Sequence, residues 1–158
     1  MTEKHRRLFF LGMFALVFYL IGASFVESFV TYPTWKVVGR SEFQAYYQEL
    51  STRIVRVMVL PGALEIPLTV ALLWLRPRVI PMWPVALSLI LTVIRFVLMA
   101  VSQLRVQEQL DAEGLSLDAI DTLIRGDALT QAASIARALL YLWMMSLVVR
   151  EPHDVTLD

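Results

Sequence analysis

The chain has 158 residues, 58% of them hydrophobic, and its 14 basic and 14 acidic side chains leave no formal net charge. With a mean hydropathy of +0.64 it is more apolar than an ordinary soluble domain, which predicts a membrane protein. Neutrality without a basic stripe argues against a nucleic-acid partner. The sequence contains no cysteine, which excludes disulfides, thiol catalysis and iron–sulfur ligation.

The excess of apolar residues falls in four blocks, each about as long as the roughly 20 residues that cross a hydrocarbon core. They predict spans at residues 8–29, 53–75, 81–103 and 128–149 of a single domain, 1–158. The fold class is therefore all-α, an integral membrane four-helix bundle. The charged start of the chain resembles a signal peptide, but we interpret it as the flank of an uncleaved first span.

The two longer connectors are each predicted to carry a short amphipathic helix. Residues 41–44 (Ser-Glu-Phe-Gln) have the form of a capping box, which begins a helix. A second short helix is predicted at residues 116–125, closed by Gly126, after which Asp127 would cap the fourth span. Gly114 is expected to end the third helix. Trp35, Trp74 and Trp83 are expected at the membrane interfaces.

Lysine and arginine in the short flanks predict the orientation of the bundle. The basic side chains gather at the end that carries both termini, whereas the opposite connectors are longer and more acidic. We therefore expect both termini in the cytoplasm, with the chain in a bacterial cytoplasmic membrane. The basic flank residues are Lys4, Arg6, Arg7, Arg76, Arg78 and Arg150.

The most informative stretch is residues 57–69, where Glu65 lies between Pro61 and Pro67 in an otherwise apolar span. A carboxylate in lipid is costly, so it normally faces a partner, a bundle interior or a wet cavity. Each proline removes a backbone donor and predicts a bend in this helix.

Two arginines lie at similar depth in the other spans. At about 1.5 Å per residue, Arg95 lies about 12 Å from the outer end of the third span and Arg137 about 14 Å from the outer end of the fourth. In one interpretation Glu65 pairs with either arginine and locks the bundle. In the other, the surplus positive charge holds an anionic or carbonyl-bearing ligand, and Glu65 is the catalytic proton acceptor. Further candidate ligand contacts are Gln131 and Tyr141 beside Arg137, and Glu27 and Arg56 at the outer mouth.

No metal or cofactor is predicted. Both histidines, His5 and His153, lie in the terminal flanks, so the spans offer neither histidine nor cysteine to a haem or transition metal. Two arginines near Glu65 also disfavour a hard cation there.

The pattern as a whole resembles the family of small four-helix membrane proteins that includes the anthrone oxygenases. The resemblance covers residues 22–145. It rests on Thr31-Tyr32-Pro33 after the first helix, Phe43, residues 103–110 (Gln-Leu-Arg-Val-Gln-Glu-Gln-Leu) and the segment 131–137 that opens the fourth helix. In the third-helix segment, where the family favours asparagines, this chain has Gln103 and Gln107. Of the Trp-Asn-Arg pattern that opens the family's fourth helix, this chain has only the arginine, Arg137. The resemblance implies a four-helix topology and a cofactor-independent oxidation of an electron-rich polycyclic phenol.

Two functions from different classes follow. The first is a bundle that binds a small apolar or aromatic ligand at a Glu/Arg core, with or without oxygenase-like catalysis. The second is a non-catalytic accessory subunit of a larger membrane complex, whose polar core is structural. The partners expected are membrane lipids, such a ligand, and membrane proteins or further copies of the chain.

Overall fold

The computed structural model describes residues 1–150, and these form four long helices without a strand. All four helices are long and apolar enough to cross a membrane, and the all-α, four-helix prediction is confirmed. The polar tail with His153 lies outside the described residues. The helices are α1 (Glu3–Trp35), α2 (Arg40–Leu75), α3 (Met82–Glu113) and α4 (Leu117–Arg150).

The helices form an up-and-down bundle because short connections make successive helices antiparallel neighbours. Contacts join α1 to α2, α2 to α3, α3 to α4, and α4 back to α1, so the four helices close into a ring. The helices have 32 to 36 residues and are thus about 50 Å long, whereas a hydrocarbon core is about 30 Å thick. Each helix is therefore about 20 Å longer than a hydrocarbon core is thick.

Two separate apolar cores hold the ends of the bundle. The core at the end carrying the N-terminus includes Phe10, Val17, Leu72, Val85 and Met144. The core at the opposite end, the aromatic cap, consists of Tyr32, Trp35, Phe43, Tyr47, Leu110, Ala119, Ile120 and Leu123. Its rings meet mostly edge to face, as aromatic pairs prefer.

The aromatic cap corrects one expectation about the tryptophans. Trp35 is only 2% exposed, because the rings of Tyr32, Phe43 and Tyr47 enclose it. Trp74 and Trp83 are more than half exposed, as interfacial residues would be.

The two connector helices predicted as separate elements are instead continuous with the spans. Residues from Arg40 onward run into α2, and residues from Leu117 onward run through Gly126 and Asp127 as part of α4. Asp127 caps no helix, since its carboxylate is buried among side chains of α1, α3 and α4. Gly126 marks a close helix contact, because a Cβ there would lie 3.1 Å from Ser102 Cβ.

Gly114, at the start of the second connector, ends the third helix as the sequence predicts. Gly114 has a φ of +79° and follows the last residue of α3, and its N–H donates to the Leu110 carbonyl. Such positive φ values cost an L side chain energy, which is why glycine ends this helix.

Three of the four helices depart from regular α-helical geometry. α1 has a π-helical segment at Glu27–Thr31, and α2 has one at Val55–Val59. α3 is interrupted at Gln103, between Met82–Ser102 and Leu104–Glu113. In α2 the cause is local: Pro61 has no N–H to offer the Val57 carbonyl, and the Tyr19 hydroxyl donates to it instead at 2.8 Å.

Candidate functional site

The centre of the bundle holds three charged side chains from three helices. Arg95 Nη2 of α3 donates to Glu65 Oε2 of α2 at 2.6 Å, and Arg137 Nη2 of α4 contacts the other carboxylate oxygen. Glu65 is fully buried, and the side chains of Arg137 and Arg95 are 1% and 12% exposed. We call these residues the ion-pair centre. Both arginines pair with Glu65, where the sequence left open which of them would.

Neighbouring side chains orient the two guanidinium groups. Arg137 lies 5.8 Å from the centroid of the Tyr141 ring, which in turn stacks on Phe10. Arg95 lies 4.8 Å from the centroid of the Phe96 ring. Both contacts have the geometry of cation–π interactions. One carboxylate against two guanidinium groups leaves the ion-pair centre with a formal charge of +1.

A cavity of about 300 Å³ reaches the ion-pair centre from one side. Arg95 forms part of its wall, whereas Glu65 and Arg137 do not belong to its lining. The other polar lining residues are Glu27, Gln103 and Gln107. The remaining wall is apolar and comes from α1, α2 and α3: Leu20, Ile54, Met58, Val59, Gly62, Ala63, Phe96, Met99 and Leu104.

Each irregular helical segment borders this cavity. Glu27 begins the π-helical segment of α1, Met58 and Val59 belong to that of α2, and Gln103 is the interruption of α3. Single π-helical turns occur frequently at functional sites, because they re-aim side chains at a local cost in helix stability. Two π-helical segments and one interrupted helix around the same cavity mark it as the candidate binding site.

A second polar cluster lies between the ion-pair centre and the aromatic cap. Asp127 accepts hydrogen bonds from Gln103 Nε2 at 2.5 Å, from Gln131 Nε2 at 2.9 Å and from the Ser28 hydroxyl. Gln131 Nε2 also reaches Ser24 Oγ at 2.8 Å and Ser28 Oγ at 2.6 Å. All five side chains are buried. We call these residues the Asp127 network.

The structure thus distributes the predicted site residues over different places. Gln131 belongs to the Asp127 network, and Tyr141 packs beside Arg137 with its hydroxyl buried near Ser88. Glu27 lines the cavity, next to the Tyr32 hydroxyl and close to Asp127. Arg56 is exposed and lies outside the cavity lining.

Sequence reasoning did not join Gln103 and Asp127 in one buried network. Both lie at predicted helix ends, where polar residues are ordinary. The available signal was their position beside long apolar runs, combined with Ser24 and Ser28 at a four-residue spacing near the end of the first span. That spacing places the two hydroxyls on one helix face.

Comparisons of this chain with protein-family models, curated proteins and solved structures found no match.

Proposed function

We propose that this protein binds a small, largely apolar or aromatic molecule in the cavity, with an acceptor oxygen of the molecule against Arg95. The observation that carries the proposal is the guanidinium group on the wall of an otherwise mostly apolar cavity. Small-molecule sites typically combine such apolar walls with a few polar groups, and their volumes start at about 300 Å³.

The hydrogen-bonding capacity of Arg95 supports an acceptor on the ligand. A guanidinium group carries five N–H donors. One nitrogen of Arg95 donates to Glu65, and the side chain stays 12% exposed in the cavity wall, so N–H donors remain for a ligand. Because the ion-pair centre carries a formal charge of +1, a carbonyl, phenolate or carboxylate oxygen fits this end of the cavity.

The other polar residues of the cavity favour a donor elsewhere on the ligand. Glu27 offers a carboxylate, and Gln103 and Gln107 offer amides that both accept and donate. A molecule with a carbonyl or phenolate oxygen at one end and a hydroxyl at the other would satisfy both sets of groups. Phenolic and quinone-like aromatic compounds have this chemistry.

The oxygenase-like reaction is a further step of the same proposal. In it, a methylene carbon of the bound phenol would become a carbonyl, with dioxygen as oxidant and water as the second product. Glu65 was predicted as the proton acceptor. Both of its carboxylate oxygens contact an arginine, so Glu27, which lines the cavity, is the better placed carboxylate.

We also propose that both termini face the cytoplasm. Arg6 donates to the carbonyls of Trp74 at 3.1 Å and Arg76 at 3.0 Å, so basic residues of the first and second spans gather at one end of the bundle. Cytoplasmic flanks carry an excess of such residues. The cavity would then lie in the outer half of the bilayer.

Purification in mild detergent, followed by native mass spectrometry and identification of co-purified small molecules, tests the binding proposal. Titration with 1,8-dihydroxyanthraquinone, followed by its absorbance, supplies a defined probe. We expect Arg95→Gln to weaken binding by at least about tenfold, the equivalent of one charge-assisted hydrogen bond. Arg105→Gln, an exposed change in the same helix, should bind like the wild type. Equal binding by both variants would refute the proposal, and oxygen uptake with the reduced anthrone form tests the reaction.

A second candidate function, an accessory subunit, is favoured by one surface feature. An apolar groove between α3 and α4 contains the ring pair Trp83–Trp143, whose centroids are 5.2 Å apart, together with Leu87, Leu91 and Leu139. A stoichiometric partner protein retained through purification, with no small molecule present, would support this function over the first.

A further inference from the structure

The cavity is bounded at both ends along the axis of the bundle. At one end, the Tyr47 hydroxyl of the aromatic cap donates to the Gln107 carbonyl at 3.2 Å, and the other rings of the cap are buried behind it. At the other end lies the ion-pair centre, in which Glu65 is fully buried. A molecule that enters the cavity therefore has to pass between two neighbouring helices.

Two sides of the cavity are held together by hydrogen bonds between helices. The Tyr19 hydroxyl of α1 donates to the Val57 carbonyl of α2 at 2.8 Å. On the opposite side, Asp127 of α4 accepts hydrogen bonds from α1 and α3, and no residue of α4 belongs to the lining. The side that remains is the one between α2 and α3.

The exposed residues of the cavity lining all lie on this remaining side. They are Val59 and Ala63 of α2 and Leu104 of α3, and Val59 and Leu104 are 54% and 46% exposed. We call these three residues the α2–α3 opening. A side chain that lines an internal cavity and also contacts the surroundings of the bundle marks a place where the two are continuous.

The polar contacts between α2 and α3 leave this stretch free. Within residues 1–150, the two helices are joined by Arg95 with Glu65, and by hydrogen bonds of Tyr47 and Gln44 near the aromatic cap. The Arg95 and Gln107 contacts are about 18 Å apart along α3, and no hydrogen bond or ion pair joins α2 to α3 between them. Gly62 adds space on the α2 side, since it is buried and a Cβ there would meet no atom within 4 Å.

The surface around the α2–α3 opening is apolar. Exposed valine and leucine side chains flank it on both helices: Val55, Leu60, Leu64, Val97 and Val101. The nearest exposed arginines in the sequence, Arg56 and Arg105, lie towards the aromatic cap. Because α2 and α3 are long and apolar enough to cross a membrane, the opening would lead from the cavity into hydrocarbon.

We propose that the ligand is a membrane-dissolved phenol or quinol with an alkyl or isoprenoid tail, and that the tail leaves the cavity through the α2–α3 opening. The ring would lie between Arg95 and Glu27, and the tail would lie against Val59, Ala63 and Leu104. This inference rests on the proposed function and adds to it the tail and the route of entry. A tail that moves from lipid to an apolar wall gains little free energy, so obstruction of the opening tests the route better than affinity does.

Binding of two quinols with the same ring to the protein in lipid nanodiscs tests the route. The first is 2,3-dimethoxy-5-methylhydroquinone, which has no tail, and the second is its 6-decyl derivative, and both are kept reduced under argon. The ratio of wild-type to variant Kd for one probe cancels its partition into lipid. Ala63→Phe should weaken binding of the decyl probe at least about tenfold, and that of the tailless probe less than about twofold. Ala100→Phe, the same change at an exposed position outside the lining, should bind both probes like the wild type.

Arg95→Gln separates failure of the route from failure of the site, because it should weaken both probes. Decyl-probe binding that Ala63→Phe leaves unchanged overturns the route, and the Arg95 dependence of the tailless probe then still supports the proposed function. Equal weakening of both probes by Ala63→Phe overturns the route as well, since the added ring would then obstruct the head of the ligand. If the wild type binds neither quinol nor the anthraquinone, the proposed function fails, and the inference fails with it. Leu104→Trp, across the opening, replaces Ala63→Phe if that variant does not fold.

Discussion

The two polar centres of the bundle accommodate buried carboxylates in different ways. In the ion-pair centre, Glu65 meets two guanidinium groups, which overcompensate its charge. In the Asp127 network, the carboxylate meets only hydroxyl and amide groups, which spread its charge without cancelling it. One centre therefore has a surplus of positive charge, and the other has a surplus of negative charge.

The two centres also join different helices. The ion-pair centre ties α2 to α3 and α4, whereas the Asp127 network ties α1 to the same two helices. α3 and α4 take part in both, and they are also the pair with the most extensive packing. The comparison shows a bundle in which one closely packed helix pair receives α1 and α2 through two separate polar contacts. The cavity lies between these contacts, with Arg95 from one and Gln103 from the other in its wall.

The largest effect is expected at the ion-pair centre. Glu65→Gln leaves two buried arginines without a counter-charge and should lower the free energy of unfolding by about 3–5 kcal/mol. Denaturant unfolding in detergent, followed by circular dichroism, measures the change. Glu49→Gln is the matched control in the same helix, because its ion pair with Arg53 is exposed and should contribute no more than about 0.5 kcal/mol. Similar losses in both variants would contradict a buried ion-pair centre.

A smaller effect is expected in the Asp127 network. Gln103→Leu removes one of three donors from a buried carboxylate and should cost about 1–3 kcal/mol. Gln109→Leu makes the same change in the same helix, at an exposed amide that donates to Glu113 at 2.9 Å, and should be close to neutral. The same unfolding assay compares them. If Gln103→Leu lowered the free energy of unfolding as much as Glu65→Gln, the two centres would not differ in how they stabilise a buried carboxylate.

The smallest effect concerns the helix contact beside the Asp127 network. Gly126→Ala would place a methyl group 3.1 Å from Ser102 Cβ, and overpacking of this kind costs about 1–3 kcal/mol. Alanine regains up to about 1 kcal/mol of helix propensity, so a net loss of about 1 kcal/mol is expected. Gly12→Ala, with no neighbouring atom within 4 Å, should be neutral or stabilising. A destabilising Gly126→Ala beside a neutral or stabilising Gly12→Ala in thermal unfolding would confirm the close contact, and a stabilising Gly126→Ala would refute it.

The sequence by itself determined the features that depend on the local residue pattern or on the small number of charged residues within the apolar spans. Four apolar runs are sufficient to predict four spans, because hydrocarbon accepts only segments that satisfy their own backbone hydrogen bonds. A pairing of Glu65 with Arg95 or Arg137 could be predicted, because few charges lie deep in the spans and each needs a partner. Gly114 could be predicted to end a helix, because glycine readily adopts the positive φ common just after a helix, and its φ is +79°.

Only the tertiary structure decided the features that depend on which helices approach one another. Gly126 and Asp127 have the local pattern of a helix break and a cap, yet both lie inside α4. Gly126 leaves space for the side chain of Ser102 on α3. The Asp127 carboxylate accepts its hydrogen bonds from the side chains of Ser28, Gln103 and Gln131. The cavity is likewise a property of three helices together. Local sequence records the preferences of one helix, whereas the contacts that override them come from residues up to about a hundred positions away.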